Sequence, residues 1–239
     1  MRISIGDSEH VPAGRFAMEV IENIRNTNSS LADGIVENIV SKEMNVRAVL
    51  DKVVIKEVDA GIVYKTDAYT EKNSVKIIAI PDEFTVVPKY PIATLKESDD
   101  KELANKFVQF VLSKEGQQIL IDYGFTSPIA NPPPFKFNEE IIDGGRIVVY
   151  AAASLTDSYK MIGKEFESIT GIIVEFKFLS SGHLRSKIEG GAVGGGAGAD
   201  VFASASMRHM DILIDDKFVN TDDSYLFAEN TMVIIVPKK

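Results

Sequence analysis

The chain has 239 residues, 45% of them apolar and 26% charged, the make-up of a folded globular protein rather than a disordered one. Its net charge of −9 argues against a nucleic-acid partner, because phosphate neutralisation needs clustered Lys and Arg. The lack of cysteine excludes disulfides, thiolate metal sites and a cysteine nucleophile, and no run of about 18 apolar residues is present to span a membrane.

The N-terminus, MRISIGDSEH, has no basic segment leading into a long apolar one, so no signal peptide is expected in this chain. Residues 2–5 read as a short strand and Pro12–Arg25 as a helix with Phe16, Val20 and Ile24 on one stripe. Ser29 or Ser30 is placed to cap a helix over 31–40, and Asn45 one over 46–56. Residues 60–64 (AGIVY) and 75–80 (VKIIAI) are continuous apolar runs, the pattern of strands buried on both faces. An extended stretch carrying Pro91 follows at 89–95, then helices over 101–112 and, capped by Ser113, over 114–123. Residues 126–145, with three prolines at 132–134 and Gly144-Gly145 at the end, read as a connector.

The strand–helix rhythm then restarts: strand 146–151, helix 155–169, strand 172–178, helix 181–189, strand 201–203, a helix over 207–216 capped by Ser206, and a strongly apolar strand at 231–236. Glycines 190, 191, 194, 195, 196 and 198 form a flexible surface loop; without a following Lys-Ser/Thr it is not a phosphate-binding P-loop. Alternating strands and helices predict an α/β protein with mostly parallel sheets flanked by helices. Two lobes are expected, 1–88 completed by a crossing strand at 231–239, and 97–230 including the connector, with a hinge crossing at 89–96. A ligand is expected in the cleft between them, at the strand C-termini.

Four stretches set a strand end against a helix N-terminus: GDSEHVPAG (6–14), MNVRAVL (44–50), AAASLTD (151–157) and FLSSGHL (178–184). Each exposes backbone N–H groups and the positive end of a helix dipole, which favour an anion. Taken singly, a serine before a helix is more often a simple cap, and SLTD at 154–157 has the spacing of a capping box. The three histidines, His10, His183 and His209, are too scattered in sequence for a metal cluster.

Together GDSEHVPAG, NVRAVL, DAGIVYKTDA (59–68), YAAASLTD, FLSSGHLRSKIE, ADVFASAS (199–206) and NTMVIIVPK resemble the molybdate- and tungstate-binding proteins of ABC importers, the ModA type. The resemblance covers nearly the whole chain, but in rotated order: in the family AAASLTD lies near the N-terminus and GDxEHVPAG past the middle. It therefore implies a circularly permuted, two-lobed periplasmic-binding-protein-like (type II) fold. The family's segment between VPK and the GDxEH strand is missing here, and the Gly-rich loop is longer than its usual GAPAD turn.

Carried over position by position, the resemblance implies five ligand contacts: hydroxyl and N–H of Ser154 and Ser181, backbone N–H of Ala13 and Val46, and the phenol of Tyr64. Residue type alone leaves Tyr64 a strand-end hydroxyl touching water. His10 is expected to be structural, and Arg47 and Arg185 to stay off the oxyanion. The resemblance further implies no enzyme activity, no cofactor, no metal held directly by side chains, an extracytoplasmic location and a membrane permease as partner. A monomer is expected, with a domain-swapped dimer as alternative.

Such a ligand, a fully deprotonated tetrahedral dianion, accepts hydrogen bonds and offers none, so its cage should hold donors only, with sulfate excluded by size. Three other readings stay open: a permuted or engineered oxyanion-sensing module, a binder of another tetrahedral oxyanion such as sulfate, and a hydrolase or transferase with Ser154 or Ser181 as nucleophile. His183 is the one base near Ser181 in sequence, and no G-x-S-x-G elbow is present.

Overall fold

A computed structural model describes residues 1–137, 145–196 and 198–238. Two compact units form: Met1–Pro88 with Asn230–Lys239, and Lys89–Glu229.

The first unit holds strands β1 (Ile3–Gly6), β2 (Ile39–Glu43), β3 (Ala60–Tyr64), β4 (Val75–Ala79) and β10 (Met232–Pro237), in the order β2-β1-β3-β10-β4. β2, β1 and β3 are parallel, while β10 is antiparallel to both neighbours, so four of the five strands share a direction and β10 is reversed. Helix α1 (Pro12–Arg25) starts on a proline whose missing N–H is not needed there, and buries Phe16, Ala17, Val20 and Ile21. Helices α2 (Ser29–Glu37), α3 (Val46–Val54) and α4 (Lys65–Thr70) complete the unit.

Three sequence readings change here. The cap of α2 is Asn28, whose Oδ1 accepts from Leu31 N at 3.0 Å, rather than Ser29 or Ser30. That helix stops at Glu37, and the β-branched pair Ile39-Val40 opens β2, a parallel edge strand on β1. β4 is not covered on both faces. It is an edge strand paired with β10 alone, and Ile78 stays 38% exposed.

The second unit holds β5 (Lys89–Thr94), β6 (Arg146–Ala152), β7 (Ile173–Leu179), β8 (Val201–Ala203) and β9 (Ser224–Glu229), in the order β7-β6-β8-β5-β9. β6 is parallel to β7 and β8, and β5 is antiparallel to β8 and β9, so again one strand of five is reversed. β9 is an addition to the sequence reading. The helices are α5 (Lys101–Leu112), α6 (Lys114–Asp122), α7 (Thr156–Thr170), α8 (Ser181–Glu189) and α9 (Met207–Asp215). One core layer gathers Tyr150, Phe202, Leu184, Ile188, Met210 and Leu213. Another is aromatic: Phe107 meets Phe166 edge-on at 5.4 Å and Tyr159 at 6.1 Å. Burial pushes the Tyr159 phenol well above its ordinary value.

The expected connector is anchored through its first part. Phe135 packs edge-on against Phe110 at 5.0 Å, Pro133 O accepts from Lys114 N at 2.8 Å, and Phe135 N donates to Glu115 Oε2 at 2.9 Å. Its residues 138–144, Gly144 among them, lie outside the described residues.

The Gly-rich loop is tied down rather than free. Gly194, Gly195 and Gly196 all take left-handed φ (+60°, +64°, +77°), a run that side chains would disfavour. Gly195 N and Gly196 N donate to the two Asp99 carboxylate oxygens at 2.9 and 2.6 Å. Those two bonds, Gly196 first, hold the Asp99 carboxyl below the ordinary 3.8. A depressed folded value means that the tether is complete above 3.8 and is lost as pH falls through the lower folded value. The protection of the Gly195 and Gly196 amides, measured as the ratio of intrinsic to observed exchange rate at each pH, is expected to fall in acid with a midpoint below 3.8, and Asp99→Asn should remove that titration.

Candidate functional site

In the first unit the parallel strands end together, Gly6 paired with Glu43, and the chain turns from that edge into helices. β1 leads through Asp7–His10 to α1, β2 leads to α3, and β3 ends on Tyr64. The positions at issue are Ala13, second in α1, and Val46, first in α3; an N–H in the first turn has no intrahelical acceptor. Asn45 Oδ1 caps Ala48 N at 3.0 Å, one position further in. Ala13, Val46 and the Tyr64 side chain are 1%, 3% and 1% exposed, and Phe16 meets the Tyr64 ring edge-on at 6.5 Å.

Gly6 lets α1 approach β1 at backbone distance, and the turn between is stiffened by Asp7. Its carbonyl accepts from Val11 N at 2.8 Å and its Oδ2 lies 2.8 Å from His10 Nδ1. Burial would raise the Asp7 carboxyl, but the His10 bond and the Glu9 N–H outweigh it and the net shift is downward. His10 thus has a partner within its own turn.

The second unit repeats the pattern: β6 and β7 end together, Ala152 beside Leu179. β6 does not run straight into α7. A 3-10 turn, Ala153–Leu155, intervenes, and α7 starts with no side-chain cap, so the capping-box reading of SLTD fails. The Ser154 Oγ instead lies 3.1 Å from the Tyr90 hydroxyl. At α8 the cap is Ser180, whose Oγ accepts from His183 N at 3.4 Å, leaving Ser181 as the first helical residue. Ser181 Oγ accepts from Ala205 N at 2.9 Å, just beyond the end of β8. Ser154 and Ser181 are 4% and 0% exposed. Tyr90 and Ala205 were not singled out in the sequence; nothing local marks either.

Two arginines next to these positions are paired. Arg47 Nε pairs with the wholly buried Asp67 and its Nη1 donates to Thr70 at 3.2 Å, while Arg185 pairs with Glu189 at 2.6 Å. His183 Nδ1 lies 2.5 Å from the Oγ of Ser180, the cap of α8. Among the described residues no group of three His, Asp or Glu side chains is placed to hold a metal ion. A groove of about 570 Å³ beside α6 and α7, lined in part by Glu115, Asp122 and Glu165, is too acidic for an anion. Each unit therefore sets buried residues with N–H or O–H groups at one sheet edge.

Two α/β units, each with a five-stranded sheet whose one reversed strand lies among parallel ones, define the type II periplasmic-binding-protein fold. The phosphate-binding protein of a phosphate ABC transporter from Streptococcus pneumoniae has the same fold, with a TM-score of 0.57 at 11% identity over 100% of this chain and 89% of that one. The sequence pattern of the bacterial extracellular solute-binding proteins matches residues 1–126 and 147–239, and the chain belongs to that family. It is similar to the molybdate-binding protein ModA of Mycobacterium tuberculosis, 40% identical over 97 residues, or 41% of this chain and 37% of that protein. Against the Escherichia coli protein of the same name identity is 37% over 98 residues, 41% of this chain and 36% of that protein. The chain thus spans well under half the length of these relatives. Among the described residues no helix is long and apolar enough to cross a membrane.

Proposed function

We propose that this protein captures molybdate or tungstate outside the cytoplasm and delivers it to the membrane permease of an ABC importer. The observation that carries the reading is the hydrogen bond at Ser181. Its buried oxygen already accepts the Ala205 N–H, so its own proton is left to donate. We assign the same task to the hydroxyl of Ser154, to the N–H groups of Ala13 and Val46 and to the phenol of Tyr64, so that the ligand meets donors only. That suits a bare dianion; a phosphate that keeps a proton at neutral pH wants an acceptor as well. Each bond to a charged ligand contributes about 1.5–3 kcal/mol. Sulfate has the same charge in a smaller body, and a cage of fixed backbone donors leaves it with stretched bonds.

The protein acts as a binder, a monomer, and not as a catalyst. The family match falls on both sides of residues 127–146 and skips them, which supports reading that stretch as the join of a circularly permuted chain. Calorimetric titration tests the function: one molybdate or tungstate per chain is expected, with sulfate far weaker at equal concentration. At a hundredfold excess over Kd, molybdate should add about 2.7 kcal/mol of stability. No heat with either metal oxyanion, or sulfate binding equally well, overturns the reading.

A further inference from the structure

We infer that Tyr90 is a positioning residue of this site, its phenol orienting the Ser154 hydroxyl so that the serine proton is presented to the oxyanion. The inference rests on the oxyanion reading above. The two hydroxyl oxygens lie 3.1 Å apart, and the residues are 0% and 4% exposed. A serine hydroxyl has one proton and two lone pairs. If it donated to Tyr90, its lone pairs would face a ligand that itself only accepts, which is repulsive. Donation therefore runs from Tyr90 to Ser154 to the anion. Ser181 is built on the same plan, with the Ala205 N–H in place of the phenol. Two serines, 27 positions apart by their numbers (181 − 154), are each backed by a second donor.

The fold explains how a residue so far away in sequence comes to serve. β5 is the reversed strand, and Ile92 pairs with Ala203 at the end of β8, so the first residues of β5 lie at the edge where β6 and β8 finish. Pro91 cannot donate to the ladder, and the register of β5 on β9 slips between Tyr90 and Pro91, where Ala228 and Leu226 are successive partners and Phe227 is extra. Such a bulge re-aims side chains. Here it leaves the Tyr90 ring edge-on to Phe125 at 5.5 Å and to Phe227 at 6.2 Å. These contacts hold the ring without its hydroxyl, so Tyr90→Phe removes the donor and keeps the packing.

A double-mutant cycle read by molybdate titration tests the role. Tyr90→Phe is expected to weaken binding about tenfold, and Ser154→Ala at least as much. The double variant should bind no more weakly than Ser154→Ala, whereas Tyr90→Phe and Ser181→Ala should multiply. A packing role would cost the same factor in every background. Incorporating 3-fluorotyrosine at position 90, a stronger donor in an unchanged scaffold, is expected to tighten binding. Unchanged binding in Tyr90→Phe, a full tenfold loss in the Ser154→Ala background, or weaker binding with the fluorinated ring overturns the positioning role and leaves the oxyanion reading standing. Absence of molybdate binding by the unaltered protein overturns both.

Discussion

Gly14→Ala is expected to cost about 3 kcal/mol or more of stability and to lower the melting temperature by about 6–12 °C. A Cβ at this position would lie 2.0 Å from Gly6 O and 2.4 Å from Gly6 C. Both are backbone atoms of β1, so no rotamer change relieves the overlap. Helix α1 must lift off the strand, and Phe16, Ala17, Val20 and Ile21 lift with it. Ala13, one residue earlier, would lose its place at the sheet edge, so oxyanion binding should fall as well. Gly34→Ala is the control: its Cβ meets nothing within 4 Å, and in the middle of α2 it should stabilise by about 0.5–1 kcal/mol. Thermal and urea unfolding of the three proteins decide it. Equal stability of Gly14→Ala and the parent would mean that α1 and β1 do not touch.

What could be read from the sequence was what neighbours in the chain decide. Pro12, Asn45 and Ser113 start their helices where expected, because a cap or a leading proline acts within three residues. The two apolar stretches that became β5 and β10 were recognisable as extended, and each is the reversed strand of its sheet. Spacing failed where two local structures share it. SLTD fits a capping box, yet a 3-10 turn at Ala153–Leu155 carries Ser154 past the capping position and turns its hydroxyl to Tyr90. The first two residues of β2, Ile39 and Val40, were absorbed into a helix because they continue the α2 stripe, and only pairing with β1 marks them as strand. The remaining misses are long-range. Tyr90 finds Ser154 across 64 positions, and Asp99 holds Gly195 across 96, so composition alone suggested a loose loop.

Ser181→Ala should produce two losses that separate cleanly. The first is structural: Ala205 N, buried at 2% residue exposure, loses the oxygen that it donates to at 2.9 Å. An orphaned buried donor costs about 1–3 kcal/mol. The second concerns the ligand. The hydroxyl proton freed by that same bond disappears, and a charge-assisted bond worth about 1.5–3 kcal/mol corresponds to roughly 10–150-fold weaker molybdate binding. Ser113→Ala provides the comparison, because Ser113 is equally buried and its Oγ caps Gly116 N at 3.2 Å, so its removal costs about 1 kcal/mol of the same kind. It sits at the start of α6 and has no part in the proposed cage. Urea unfolding should therefore move for both variants, and the molybdate affinity for Ser181→Ala alone. If Ser113→Ala weakens binding as much, general loosening of the second unit explains both results. If Ser181→Ala binds as tightly as the parent, the hydroxyl is only a latch for Ala205 and the donor cage loses its central member.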